Sequence, residues 1–469
     1  MKNINGRLYA TENGIIYDSS TNYVFLPYQS GSVEEMCATM PEDLNKKALA
    51  NAQLGQGSDF AVNLNLTSAC NLSCTYCFAQ GGDYGKAKDN MSVEILPILK
   101  NLIVNNVTSS RQVRFEYFGG EPLLNEEMII ALVDFAQKLE VETGIHVLHR
   151  ISTNLTVLTP TILELLCNND FVVSVSIDGK QCVQDEQRPS RNGLSTYDVI
   201  LTNIKKIKDR NPDIRTVARM TIAQKNTTIL ENLRELVSTQ LFNYASIYPA
   251  SISPSKNTNS AYKFFFDDEI KRQYHELFLN YEYLFSLSNS FYGVLEFERI
   301  LEQLLFGKVS FNHCSAGNNY CTLSSDSSVV TCHRLCGKKE YQLNHDETGK
   351  LDARLRTKWI KTADENDTCK RCFARYICGG GCKQENISFS GNINDKNPFA
   401  CEYRRFLLEE ILSNIETLTL SFSKRFHSLD NMFVYCGRPL LINCRPTFHE
   451  TSKCKVYCAE ELQWEQKNG

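Results

Sequence analysis

Cys70, Cys74 and Cys77 share one short stretch, residues 70–77, with the spacing C-x3-C-x2-C. Three thiolates this close in sequence can hold three irons of a [4Fe–4S] cluster. The fourth iron then lacks a local thiolate and is open to a substrate or cosubstrate, so such a cluster does chemistry rather than only passing electrons. Structural zinc usually takes four ligands, often as two C-x2-C pairs. A disulfide framework suits a short secreted chain, whereas this chain has 469 residues and no signal-peptide pattern over residues 1–18. An apolar, strand-like run at residues 61–66 precedes the cysteines, and Tyr76 stands before the third.

With Tyr76, the three cysteines resemble the signature of radical S-adenosylmethionine (SAM) enzymes. Further matches follow in order. Gly119, Gly120, Glu121 and Pro122 resemble the segment that meets the SAM methionine amino group in that family. Ser152 and Asn154 lie in a stretch similar to the one that contacts the ribose or the methionine carboxylate, and Ser176 and Asp178 close the following strand. Arg188 lies where related enzymes place an arginine near the SAM carboxylate.

A second cysteine group spans residues 369–382 as C-x2-C-x5-C-x3-C, with Cys401 nineteen residues further on and Cys314, Cys321, Cys332 and Cys336 upstream. It resembles the SPASM extension of radical SAM peptide-modifying enzymes. The resemblance implies two auxiliary [4Fe–4S] clusters with interleaved ligands, three clusters in all. Cys369, Cys372, Cys378 and Cys401 would hold Auxiliary II. Cys314, Cys332 and Cys382 would hold Auxiliary I, with Cys321 or an open iron at the fourth position; Cys336 is a further candidate. The alternative is a zinc knuckle of Cys369, Cys372, Cys378 and Cys382. Gly379 to Gly381 would let the backbone pass close to an inorganic cluster. Ser327 stands where the family usually has glycine. His333 follows Cys332 where the sulfatase-maturing branch has an aspartate base, which counts against that branch. His333 is itself a candidate base or peptide contact.

These residues need a scaffold. Strand-like runs at residues 61–66, 113–118, 146–152, 171–177, 216–222 and 245–249 alternate with helical patterns at 93–105, 126–142, 161–168, 197–208 and 230–239. Repeated βα units argue a parallel sheet with its site at the C-terminal strand ends. The fold expected is α/β, a partial (β/α)6 radical SAM barrel with a small N-terminal winged-helix-like module and a C-terminal Cys-rich SPASM domain. The divisions are 1–58, 59–255 (barrel), 256–309 (helical bridge), 310–410 (auxiliary clusters) and 411–469, an extension of unknown role. In residues 1–58, strand-like runs at 6–10, 14–17 and 22–28 precede helix-like stretches at 32–38 and 41–52. Related maturases use such a module to grip a leader peptide by strand addition; the alternative is a cap on the barrel.

Hydrophobic content of 42%, charged content of 22% and a net charge of −4 fit a globular protein without a nucleic-acid footprint. No run approaches the ~18–20 apolar residues of a membrane span. Thirteen of the nineteen cysteines lie between Cys314 and Cys458. Without a secretory signal, such crowding argues for metal in a reducing cytoplasm. Cys37, Cys167, Cys182 and the tail's Cys436, Cys444, Cys454 and Cys458 fit no motif and are expected as buried or free thiols, with a zinc site the alternative for the four in the tail.

Cys77-Phe78-Ala79, the glycines that follow, and Cys314-Ser315-Ala316-Gly317-Asn318 look most like thioether-forming (sactipeptide or ranthipeptide) enzymes. The resemblance implies an oxidoreductase that modifies a ribosomally made precursor peptide with a leader. It would be supplied with electrons by a flavodoxin or ferredoxin. Rival expectations are carbon–carbon cross-linking, epimerisation or sulfatase maturation, and, from another class, an iron–sulfur electron carrier or a zinc-binding interaction protein.

Overall fold

The computed structural model describes residues 1–4, 6–20, 22–27, 60–83, 89–107, 112–223, 228–252, 262–305, 309–343, 351, 359, 362–415, 417–418 and 454–455. The helices expected at 32–38 and 41–52, Cys37, and the tail cysteines 436, 444 and 458 lie outside these residues.

The chain opens with four short strands, β1 (Lys2–Asn3), β2 (Leu8–Ala10), β3 (Ile16–Asp18) and β4 (Tyr23–Pro27). They pair antiparallel in sequence order. Six parallel strands follow: β5 (Phe60–Thr67), β6 (Gln112–Gly119), β7 (His146–Thr153), β8 (Val172–Ser176), β9 (Arg215–Ile222) and β10 (Tyr244–Pro249). A two-stranded ribbon, β11 (Ser251–Ile252) with β12 (Lys263–Phe264), comes next. Then follow β13 (Gly293–Val294), β14 (Tyr320–Leu323), β15 (Val329–Val330) and β16 (Cys454–Lys455). The main sheet runs β13-β10-β9-β8-β7-β6-β5-β14-β15. The six expected strands are thus its centre. β13 and β14 extend it in parallel, the latter against β5, and β15 closes it antiparallel.

Helices cross between the parallel strands at Leu96–Asn106, Glu126–Thr143, Pro160–Asn168, Tyr197–Arg210 and Ile229–Ser238. Their ends follow local chemistry. Asn125 accepts a hydrogen bond from the Met128 amide at the start of Glu126–Thr143, and Thr159 accepts one from Ile162 at the next helix. Strand alternation decides which side chains meet these helices. Phe60, Val62, Leu64 and Leu66 of β5, and Val113, Phe115 and Tyr117 of β6, enter the buried core. Asn63 and Asn65, then Arg114 and Glu116, point to the opposite face, the barrel lumen.

Residues 262–305 supply three more helices, Asp268–Leu279, Tyr281–Leu287 and Leu295–Leu305, as the aromatic, helical pattern predicts. The Cys-rich part is built from short helices and turns, then ends in helix Pro398–Ser413. The N-terminal sheet docks on this part. The Met1 ammonium pairs with Glu409, Asn13 donates to the Ser413 carbonyl, and the Tyr9 and Phe373 rings lie 5.4 Å apart. The potential edge at β4 is also partly taken: Leu26 and Pro27 pair with Lys455 and Cys454 of β16. No helix among the described residues is long and apolar enough to cross a membrane.

Candidate active site and cysteine clusters

The loop carrying Cys70, Cys74 and Cys77 leaves the C-terminal end of β5 and is tied down on every side. Ser73 and Thr75 donate backbone hydrogen bonds to Pro189 and Gln187 at 2.9 Å each. Asn154, at the end of β7, donates to Asn71 at 2.9 Å and approaches the Cys70 sulfur at 3.9 Å. The end of β6 lies directly beneath: the Gly120 amide donates to Thr67 O at 2.7 Å and the Glu121 amide to Ala69 O at 2.9 Å. A Cβ on Gly120 would stand 2.2 Å from Ala69 O, so only glycine permits this approach.

Glu121 is almost fully buried. Its carboxylate accepts from the Leu123 and Asn154 amides and the Thr153 hydroxyl. Burial raises its pKa to about 7. It joins the ends of β6 and β7.

Tyr76, Asp178 and Arg188 form one unit. The Tyr76 hydroxyl donates to Asp178, and the Arg188 guanidinium grips both Asp178 oxygens at 3.0 Å while lying 5.2 Å from the Tyr76 ring. The Thr221 amide donates to Asp178 as well. The structure therefore gives Arg188 a carboxylate partner within the chain. Ser152, instead, accepts from Arg219 at 3.4 Å. Ser176 ends β8 beside Arg219 in register.

The remaining cysteines separate into two groups. Burial pushes the Cys332 thiol up, and neighbouring Cys382 and Cys314 push it the same way; Cys382 is raised to about 11, with Cys314 among the causes. Burial also raises Cys369 and Cys401 to about 11, with Cys378 and Cys372 contributing to both. Cys314, Cys332 and Cys382 are thus neighbours, as are Cys369, Cys372, Cys378 and Cys401. On β14, Cys321 alternates with Tyr320 and Thr322, is fully buried, and joins the apolar core with Leu323. Cys336 is buried and accepts from Ser324 at 3.5 Å. Cys167 is buried in the core and Cys182 exposed.

Among the described residues, no three His, Cys, Asp or Glu side chains converge closely enough to hold a single metal ion. A cubane needs its thiolates around a wider body. Burial also pushes Cys74 up to about 12, with Cys77 and Cys70 contributing. Apart from the exposed Cys314, these are partly or fully covered thiols that push one another up, a donor set suited to a cationic iron centre, which holds them as thiolates. The three groups fit iron–sulfur clusters on that count.

Ser327 has the backbone angle φ 63°, the left-handed region that glycine favours. The departure from the family's glycine has kept the turn it serves. Gly379 (φ 62°) is pressed against the Asn312–His313 backbone, where a Cβ would stand 2.4 Å from Asn312 C. Close approach of another chain segment explains this glycine.

Sequence reasoning missed the wall between the first loop and Cys332. His333 hydrogen-bonds Tyr320 through Nδ1 at 2.8 Å, and its ring lies 4.7 Å from Phe118 and 6.1 Å from Phe78. Burial, then the Arg334 charge, lower its pKa to about 4, so it is neutral at neutral pH. Arg334 lies over the Phe78 ring at 4.9 Å. Nearby, Arg404 donates to Tyr248 and Glu385. Charged residues at alternate positions of otherwise apolar strands were the available signal for the lumen.

Residues 64–236, which carry most of the parallel sheet and the three-cysteine loop at its C-terminal edge, match the Radical SAM superfamily model. The chain carries a radical SAM domain, which implies a [4Fe–4S] cluster and SAM. It is 24% identical over 376 residues to a cysteine-type anaerobic sulfatase-maturating enzyme of Clostridium novyi, covering 77% of this chain and 97% of that one. Of solved structures, "native anSMEcpe with bound AdoMet" superposes with a TM-score of 0.64 at 18% identity, over 76% of this chain and 98% of that one. Streptococcus suis SuiB bound to the precursor peptide SuiA superposes at 0.50 and 15% identity, over 85% of this chain and all of that one.

Proposed function

We propose that this chain is a maturase of a ribosomally made peptide and joins a cysteine sulfur of that peptide to one of its carbons. The carrying observation is the position of Cys321. With its side chain in the core, Cys314, Cys332 and Cys382 make a three-thiolate set, leaving one coordination position of an Auxiliary I cluster for a thiolate from the peptide. Cys369, Cys372, Cys378 and Cys401 would make a four-thiolate set for Auxiliary II, and Cys70, Cys74 and Cys77 would hold the cluster that SAM meets.

When bound, SAM and its cluster supply a 5′-deoxyadenosyl radical able to take hydrogen from an unactivated carbon. The chain's own part is placement. Tyr76, Asp178 and Arg188 lock the first loop to β8 and β9, while Glu121 and Asn154 lock it to β6 and β7. Phe78, Phe118 and His333 line the space between that loop and Cys332 with apolar and neutral surface. His333, neutral and held by Tyr320, is placed as a peptide contact on this wall. Residues 1–58 receive the leader, and a flavodoxin- or ferredoxin-type donor supplies electrons.

Support for a peptide substrate comes from the neighbours, one bound to SuiA. The Clostridium relative favours a second reading, oxidation of a cysteine in a sulfatase. Mass spectrometry of a Cys-containing precursor peptide, after incubation with the reconstituted enzyme and SAM, separates the two. A thioether makes the product about 2 Da lighter per link and leaves that cysteine deaf to iodoacetamide. Formylglycine makes it roughly 18 Da lighter through loss of sulfur. Hydrogen loss with every thiol still alkylatable would refute both in favour of carbon–carbon linkage.

A further inference from the structure

The lumen of the barrel holds more positive charge than its own carboxylates answer. Arg114 and Glu116 alternate on β6 and pair with each other at 3.0 Å. Glu116 stands in register with Arg150 of β7. Arg219 of β9 stands in register with Ser176 of β8 and Ser246 of β10. The other acidic group near Arg219 is Glu296, and its two oxygens are already engaged by the Ser246 hydroxyl at 2.6 Å and the Ile247 amide at 3.0 Å. Arg219 forms no ion pair among the described residues; it donates to Ser152 at 3.4 Å, a long bond to a neutral oxygen. It is solvent-exposed even though strands flank it on both sides, so its guanidinium is open to a ligand from the lumen face.

Several neighbours make that face a receptor rather than a gap. Crowding by the surrounding protein, then the Arg150 charge and last Arg188, disfavour the Arg219 charge, while Glu296 and Glu116 favour it. Ser174, in register with Ser152, is fully buried, and its hydroxyl has no hydrogen-bond partner among the described residues. A buried hydroxyl without a partner and two like charges at close range are each costly unless a ligand answers them. An anionic, planar, two-oxygen group would answer both guanidiniums, since the arginine fork matches a carboxylate.

We propose that Arg219, with Arg150 behind it, forms a carboxylate-binding site in the barrel lumen, filled by the methionine carboxylate of SAM or by an acidic side chain of the peptide substrate. Arg188, whose fork is closed on Asp178, is not that site. The identity of the two ligands rests on the function proposed above; the site itself rests on the lumen's charge and geometry.

The test uses the full-length protein, anaerobically reconstituted, as wild type, Arg219→Gln and Arg219→Lys. One arm measures equilibrium binding of SAM and of decarboxylated SAM. If the ligand is the methionine carboxylate, Arg219→Gln weakens SAM about tenfold or more, leaves decarboxylated SAM unchanged, and Arg219→Lys recovers part of the loss. The other arm measures binding of acetyl-Gly-Glu-Gly-amide and its Gln counterpart to protein saturated with SAM. If the ligand is a peptide side chain, wild type prefers the Glu peptide about tenfold, and Arg219→Gln abolishes the preference without touching SAM affinity. Arg219→Gln with unchanged SAM affinity and unchanged Glu-over-Gln preference overturns the site. Wild-type protein that binds no SAM would defeat the radical SAM reading, and the peptide arm, run without SAM, would still decide the site.

Discussion

Replacing Asp178 by Ala should be among the most damaging single changes in the first loop, and the structure supplies the magnitude. Asp178 is fully buried and the Arg188 side chain is 9% exposed, so neither charge has water as a substitute partner. Removal of the carboxylate strands the guanidinium and frees the Tyr76 hydroxyl and the Thr221 amide together. Breaking one side of a buried pair costs about 3–5 kcal/mol. Tyr76→Phe removes one charge-assisted hydrogen bond and should cost about 1.5–3 kcal/mol. The double variant Asp178→Ala with Arg188→Leu should lose less than the sum of its parts, by about 0.5–3 kcal/mol. The assay is anaerobic urea denaturation followed by tyrosine and tryptophan fluorescence, with the visible absorbance of the reconstituted protein reporting the loop. Asp178→Ala costing below about 1 kcal/mol, the scale of an exposed pair, would refute the reasoning.

Anaerobic reconstitution should load about twelve irons per chain, and a value near four would remove both auxiliary assignments. Cys321→Ala should keep the full iron load and SAM cleavage, whereas Cys332→Ala should lose about four irons; equal loss in both would return Cys321 to the ligand set. Ser327→Gly should stabilise by about 1 kcal/mol by relieving the left-handed backbone at φ 63°, read as a raised urea midpoint. His149 is buried against Tyr117, and burial, then His146, depress its pKa from 6.5 to about 4. Its contribution is complete above pH 6.5 and is lost as the pH falls through 4, about 3 kcal/mol in all. A His149→Leu variant should lose stability less steeply than wild type over that window, and parallel curves would count against the depressed pKa.

What the chain disclosed in advance divides along a physical line. The six central strands and their helices were legible because each is a local pattern: period two or continuous apolar runs, then an amphipathic helix. β14 was not, since Tyr320–Leu323 is a short run inside a cysteine-rich stretch whose partner, β5, lies far away in sequence. Helix Gln181–Gln187 was not, being mostly polar and burying two glutamines, Gln184 and Gln187, rather than an apolar face. The cysteines of the first loop were legible as ligands because their spacing is local. Cys321 left two alternatives, because the direction a strand residue points depends on register with a partner strand.

The same distinction explains why the two ends of the site needed the fold to be seen as one. Residues 70–77 and Cys332 meet only because β14 pairs with β5, which carries the Cys314–Cys332 segment to the rim where the first loop begins. The register then sets the division of labour along β14: Tyr320 faces His333 and the lumen, Cys321 faces the core, and Thr322 returns to the lumen beside Asn63. A slip of one residue would turn Cys321 toward Cys332 and bury Tyr320, completing a four-thiolate set and removing the hydrogen bond that holds His333. On the proposed function, the open coordination position and the oriented neutral imidazole are therefore two consequences of one strand register. A change that shifts it, such as a one-residue deletion in the β14–β15 turn at Ser327, should abolish sulfur transfer while leaving SAM cleavage at the first loop. Loss of both together would show that the two ends are not separable in this way.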